Sequence, residues 1–214
     1  MMQQQALGLI EIKGWSPAMV ALDAMTKAAD VSLLQVELND LYGACIKITG
    51  TTSNVQAAVA AGRGVAEQMR VDVVTDVIMA PDRGARAAYE AKPEVSPLIE
   101  QDVVHIPRQG TTDTRQERNV SEQAPFAIGM IETQGLTAVI EAIDTACKAG
   151  NVEIIGREKL GGGYITVLIK GDVAAVKAAL EAGRAKVESS GLGKLIAAHV
   201  IPRPSTQVLG LLPK

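Results

Sequence analysis

Apolar and polar positions along this 214-residue chain follow two periods, and each period appears in the same order twice. Short apolar runs at Leu7–Ile12, Val31–Glu37, Ala44–Thr49 and Val73–Met79 predict four strands. Between the first two, Ser16-Pro17 reads as an N-cap followed by proline at the first helical position. Between the last two, Val55, Ala58, Val59, Gly62, Val65 and Ala66 fall on one face at helical spacing. The second half repeats this. Strands are predicted at Val152–Glu158, Tyr164–Lys170 and Ile196–Ile201, after a first one opening at Ala127. One helix follows Thr137, with Val139, Ala142, Ile143 and Ala146 inward; another buries Val176, Ala179, Leu180, Gly183 and Val187. Strand–helix–strand–strand–helix–strand is the split βαβ, or ferredoxin-like, unit. The predicted class is therefore α+β, two such units in tandem, with Ala-rich helices against one sheet face. Gly62 and Gly183 are expected to let the second helix of each unit lie close to its sheet.

The two halves are copies. Ala6–Met69 returns without a gap 121 positions later as Ala127–Ser190, and 20 of the 64 paired positions are identical. Asp23 pairs with Asp144, Lys27 with Lys148, Glu37 with Glu158, and Gly62-Arg63 with Gly183-Arg184. After a two-residue insertion near Gly191, Asp76–Pro81 aligns with His199–Pro204. Repetition at this length means one folding unit used twice, and positions where the copies disagree become the candidates for function.

Composition adds constraints. Apolar residues make up 47% of the chain but only five are aromatic, so the cores are expected to be thin layers of Ala, Val, Ile and Leu. Cores of that size are marginal alone, which favours burial between copies or chains. A net charge of −3 gives no support to a nucleic-acid partner. Residues 1–82 carry 5 Lys/Arg against 9 Asp/Glu, 83–123 carry 6 against 7, and 124–214 carry 10 against 8, so the copies differ in sign. No run of about 18 apolar residues suggests a membrane span, and Met-Met-Gln-Gln-Gln at the start lacks a signal pattern. Cys45 and Cys147 lie far apart without CxxC spacing, as in a reduced cytosolic protein.

The segment between the copies is too long for an ordinary loop. Arg83–Ala91 is expected to be helical, Leu98, Ile99, Val103, Val104 and Ile106 to pack on a surface, and Gly110–Glu122 to be mobile.

Candidate chemistry is sparse. His105 and His199 stand in different segments with no second ligand at metal spacing, so no metal is expected. Glu11, Glu132, Asp23 and Asp144 recur in both copies without a nucleophile or base beside them, which argues for packing, not catalysis. Gly161-Gly-Gly163 lacks the Lys-Ser/Thr of a phosphate loop and precedes a strand, so by itself it reads as a hairpin turn. Trp15 is expected to pack at the strand-to-helix corner. No catalytic residue and no cofactor is expected.

The second copy carries Gly129-Met-Ile-Glu132-Thr-Gln-Gly135, then Glu158-Lys-Leu-Gly161-Gly-Gly163, then Gly171-Asp-Val, and finally His199-Val-Ile-Pro202-Arg203-Pro204. These residues closely resemble the hexamer-forming shell subunits of bacterial microcompartments. The first copy resembles a more diverged member over residues 5–91, with 92–123 as linker and 124–214 as the second domain. The whole chain is similar to the tandem-domain shell proteins, of which three chains form a six-domain ring, and both copies keep the unpermuted strand order. The resemblance implies a structural protein, not an enzyme, in the shell of a cytoplasmic bacterial organelle. It also implies a homotrimer, with other shell proteins and the encapsulation peptides of cargo enzymes as partners.

In that family the loop between strands two and three lines a central pore. Carried over by position, the pore residues are Lys159, Leu160, Gly161, Gly162 and Gly163 in the second copy and Leu38, Asn39, Asp40 and Leu41 in the first. The expected pore is three-fold, with Asp40 carboxylates alternating with glycine loops. In a ring of alternating copies, the potential alternates too. The family's tiling edges correspond to Lys27, Asp30, Lys148, Asn151 and Arg203; Ala80 stands where the second copy has Arg203. Some tandem shell proteins hold an iron–sulfur cluster through a pore-loop cysteine, but that position is Asp40 here, and Cys45 falls in a strand. Two rival readings remain: a ferredoxin-like sensor binding a nucleotide or metabolite, and an electron-carrying shell tile.

Overall fold

The computed structural model of the protein describes residues 5–39, 43–107 and 126–213. Two compact units are distinguished. One comprises the chain up to Pro107 together with Lys159–Gly162, and the other takes the remainder.

The first copy runs β1 (Ala6–Ile12), α1 (Trp15–Ala28), β2 (Ser32–Asn39), β3 (Gly43–Gly50), α2 (Thr52–Gln68) and β4 (Val73–Ile78). After a single 3-10 turn at Arg83–Ala85 come α3 (Arg86–Tyr89), β5 (Val95–Ser96), β6 (Gln101–Asp102) and β7 (Val104–His105). The second copy is β8 (Ala127–Gln134), α4 (Leu136–Ala149), β9 (Glu153–Gly161), β10 (Tyr164–Gly171), α5 (Val173–Ser190) and β11 (Lys194–Pro202), closed by α6 (Thr206–Leu209).

The second sheet has the order β11-β8-β10-β9, and the first has β4-β1-β3-β2-β7. This is the ferredoxin-like arrangement in both copies, with one strand added in the first. Strand register carries the sequence alignment into three dimensions. Gly8 faces Val77 across β1–β4, and Gly129 faces Val200 across β8–β11. The offset between copies is thus 121 on the first strand and 123 on the last, as the insertion near Gly191 requires. Strand one also positions its helix. A Cβ on Gly8 would sit 2.7 Å from Val55 Cγ1, and one on Gly129 would sit 2.7 Å from Val176 Cγ1. These strand glycines bring the second helix onto each sheet.

The helix glycines lie close to the sheet as expected, with Ile10 Cδ1 3.2 Å from a Cβ on Gly62 and Ile131 Cδ1 2.6 Å from one on Gly183, and they also meet the neighbouring helix. A Cβ on Gly62 would lie 2.6 Å from Met25 Cγ in α1, and one on Gly183 would lie 2.9 Å from the Ala142 carbonyl oxygen in α4. They set the approach of helix to helix as well as helix to sheet. The predicted inward faces hold, except that Val65 and Ile143 are only half-buried.

The predicted caps of the first helices are wrong. Helix α1 begins at Trp15 after Gly14 at φ 100°, and α4 begins at Leu136 after Gly135 at φ 116°. The chain turns from strand to helix within two residues, which demands a backbone region that glycine occupies at little cost. Ser16 and Thr137 therefore fall inside the first turn. The second helices are capped alike: Thr51 Oγ1 accepts from Asn54 N–H at 3.3 Å, and Asp172 Oδ1 from Ala175 N–H at 2.8 Å.

The connecting segment is less helical than expected, since α3 has four residues. Its apolar residues do not all pack: Val104 is buried, while Ile106 is exposed and Leu98 is 92% exposed. Strand β7 pairs with the outer edge of β2, with Val36 opposite His105 and Glu37 opposite Val104. That edge would otherwise offer unpaired backbone groups. The His105 ring lies 4.9 Å from Trp15, which is buried at the corner as predicted. The 110–122 stretch lies outside the described residues.

Candidate functional site

The sequence places the site at the β2–β3 and β9–β10 hairpin tips, and the two tips differ in construction. In the second copy Gly161, Gly162 and Gly163 have φ of 91°, 57° and 81°. Three successive left-handed residues are accessible to glycine and costly to any residue with a Cβ. Their N–H groups are therefore presented without side chains, as in the backbone concavities that receive anionic and polar groups. Gly162 and Gly163 are exposed, and Leu160 beneath them is buried as the hairpin's anchor. The Gly135 N–H donates to the Gly163 carbonyl at 2.9 Å and ties the tip to the start of α4.

Lys159 opens this tip and is held within the first compact unit. Its N–H donates to Gln101 Oε1 at 2.9 Å, and its carbonyl accepts from Gln101 Nε2 at 2.6 Å. Its ammonium lies 3.9 Å from Glu100. No sequence signal flagged Gln101; an amide reading one residue's backbone in both directions leaves no periodicity to detect.

In the first copy Leu38 and Asn39 end β2, opposite Ala44 and Gly43, and both are half-buried. Leu38 N–H donates to the Val103 carbonyl at 2.8 Å, so the connecting segment braces this tip. Gly43, at φ 107°, approaches so closely that a Cβ would lie 2.4 Å from Gly14 N. The predicted pore residues Asp40 and Leu41 lie outside the described residues.

The candidate tiling residues fall at helix and strand ends. Lys27 pairs with Asp23, and Lys148 with Asp144, both at 2.5 Å and one helical turn apart. The hydrogen bond that Lys148 donates to Asp144, reinforced by the carboxylate's charge, raises the Lys148 pKa. Asp30 and Asn151 are exposed just past those helices. Arg203 is exposed after β11 with φ 49°, its N–H donating to the Phe126 carbonyl at 3.1 Å. Among the described residues no hydrogen bond or ion pair joins Arg203 to Lys148 or Asn151, so these groups are not assembled into one site within a chain.

Cys45 lies in β3, and its thiol is pushed up to about 11, chiefly by burial and then by Glu11. Burial also lowers the pKa of His105 and His199. Among the described residues no group of three or more His, Cys, Asp or Glu is placed to hold a metal ion.

Comparison with known proteins agrees with the duplicated fold. The BMC domain family matches residues 6–82 and again residues 127–204. The bacterial microcompartment shell protein PduA of Salmonella typhimurium (strain LT2) is 53% identical over 88 residues, 41% of this chain and 92% of that protein. The major carboxysome shell protein CsoS1A of Halothiobacillus neapolitanus is 50% identical over 89 residues, 42% of this chain and 90% of that one. A crystal structure of a microcompartment protein from Desulfitobacterium hafniense aligns over 95% of this chain and 97% of its own, at 26% identity and a TM-score of 0.34. The chain therefore belongs to the BMC domain family and carries that domain twice.

Proposed function

We propose that this protein is a structural shell tile of a cytoplasmic bacterial microcompartment, a homotrimer whose six BMC domains surround a central pore for small polar metabolites. The observation that carries the pore reading is the Gly161-Gly162-Gly163 tip, with three left-handed glycines and an exposed end. Around a three-fold axis these tips offer backbone donors, while the first-copy tips, Leu38 to Leu41 with Asp40 among them, offer carboxylates. Passage is then set by width, charge and backbone hydrogen bonding. Lys27, Asp30, Lys148, Asn151 and Arg203 make the edge contacts that tile trimers into sheets with other shell proteins, and encapsulation peptides of cargo enzymes dock on the assembled shell.

Native mass in solution tests the ring. The reading requires three chains of 22.4 kDa each. Six chains would mean stacked discs in place of a single layer. A stable monomer or dimer would remove the ring and its pore.

A further inference from the structure

The open face of the first sheet holds a cavity of about 290 Å³ that shares Leu38 and Asn39 with the proposed pore tip but whose charged residues belong to neither the pore nor the tiling edges. Strand register fixes its polar floor. Cys45 on β3 stands directly opposite Glu11 on β1 and directly opposite Glu37 on β2. Adjacent strands lie about 4.8 Å apart, so the backbones bearing the two carboxylates are about 10 Å apart with the thiol between them. One step along the same face, Lys47 is only 6% exposed. Its ammonium pairs with Glu37 Oε2 and donates to the Tyr89 carbonyl at 2.9 Å.

Lys47 is the informative residue. Its counterpart in the second copy is Leu168, so this fold does not require a charge there. A buried ammonium is tolerated only when paired, and an apolar replacement is often as stable. The first copy thus keeps a charge that stability alone does not demand. The cover is supplied by Ala88 and Tyr89, from the segment that follows β4.

The charge balance selects the ligand. The cavity holds two carboxylates against one ammonium. Glu11 makes no hydrogen bond or ion pair among the described residues, and the one contact of Glu37 uses Oε2. Two of the three N–H donors of Lys47 are taken by Glu37 and the Tyr89 carbonyl, and its charge is offset by Glu37, which disfavours an anion beside two carboxylates. Leu9, Leu38 and Tyr89 supply apolar wall. We propose that this cavity binds a small primary alkylammonium ion, its –NH3+ received by Glu11 and the second oxygen of Glu37, its hydrocarbon chain lying on Leu9, Leu38 and Tyr89. The site borders the first-copy tip through Leu38, but its charged groups, Glu11, Glu37 and Lys47, lie within one copy and are not pore residues, so binding there does not require the ring.

Calorimetric titration of the full-length protein with propylammonium chloride tests this, with sodium propionate and tetramethylammonium chloride as comparisons. Propylammonium should bind saturably at one site per chain. Propionate has the wrong charge and tetramethylammonium has no N–H to donate, so neither should bind. Glu11→Gln should weaken propylammonium about tenfold or more, the loss expected for a hydrogen bond between charged groups. Lys47→Leu removes the balancing charge and should tighten binding. Absence of saturable heat with the wild-type protein, equal binding of propionate, or unaltered affinity in a folded Glu11→Gln protein would overturn the assignment. Should Glu11→Gln fail to fold, the comparison of propylammonium with propionate on the wild-type chain decides alone.

Discussion

Alanine at Gly183 should destabilise the protein, while alanine at the equivalent Gly62 should not. The two positions correspond across the repeat and both are buried mid-helix. What differs is the facing residue, Met25 in α1 and, at the same place in α4, Ala146. With methionine in the crossing, the new Cβ at 62 meets Met25 Cγ at 2.6 Å and Sδ at 2.8 Å, atoms of an unbranched chain that can change rotamer. With alanine there, the Cβ at 183 meets the Ala142 carbonyl oxygen at 2.9 Å and Ile131 Cδ1 at 2.6 Å. A carbonyl moves only if its helix moves, and overpacking of this kind costs ~1–3 kcal/mol. Alanine returns ~1 kcal/mol of helix propensity at either site. Gly183→Ala should therefore lose ~1 kcal/mol or somewhat more, and Gly62→Ala should stay within ~0.5 kcal/mol of the parent. For a chain of this length each kcal/mol moves Tm by ~2–4 °C. Thermal unfolding at one fixed protomer concentration reads both variants, since association would otherwise shift Tm. A Gly183→Ala protein as stable as the parent, or a larger loss at Gly62, would refute the argument that backbone contact, not burial, sets the cost.

Other positions yield shorter tests. Arg70 ends α2 at φ 58° where the second copy uses Gly191 at φ 67°; Arg70→Gly should stabilise by ~0.5–1 kcal/mol in urea unfolding, because a Cβ in the left-handed region is penalised. Burial holds the His105 and His199 pKa values below 6.5, so the unfolded chain binds more protons in acid and stability is full above that pH and falls as pH drops below it. Urea midpoints followed through Trp15 fluorescence should fall between about pH 7.5 and about pH 5.5, and less so in His105→Phe; a midpoint that rises in acid would show that the sign is wrong. Lys148 is exposed, so Lys148→Asp should leave fold and native mass intact and abolish sheets seen by electron microscopy; unchanged sheets would remove it from the edge. Asp40→Lys should shift ion selectivity in planar-bilayer conductance from cations toward anions, and unchanged selectivity would place Asp40 away from the pore.

How much of this was legible in the sequence depends on the kind of signal. The repeat and its apolar periods yielded element order, strand bounds and helix faces, because core burial imposes a period that composition cannot hide. Helix starts were misread, because Ser16-Pro17 satisfies a local capping rule while the structural decision is made two residues earlier by Gly14 at φ 100°. Strand β7 was missed because two residues are too few to show alternation, and its partner edge is far away in sequence. The glycine tip was legible only as a hairpin until the resemblance gave it a proposed pore role, which its three positive φ angles suit. Lys47 was invisible for another reason. A lysine in a strand looks like a solvent-facing residue, and only the partner on β2 and the cover from Tyr89 reveal it as buried.

The residues that match between copies and those that differ do separate kinds of work. Gly14 and Gly135, the two i,i+4 Asp–Lys pairs, and Thr51 and Asp172 as caps repeat in role because each copy must fold by itself. The differences include the hairpin tip, Ala80 against Arg203, and Lys47 against Leu168, the first two at positions proposed to face the pore or a neighbouring tile and the last on the open sheet face. A hexamer of one domain cannot make this division, since any change at its pore enters six times and any change at its edge alters all six contacts at once. Joining two domains in one chain halves that constraint: in the proposed trimer a carboxylate can enter the pore three times while three glycine tips remain. The same duplication would let one copy give up the arginine proposed for tiling and carry a buried charge without every domain bearing the cost. That asymmetry accommodates buried departures as well, Met25 against Ala146 and Lys47 against Leu168, while the capping positions keep their roles.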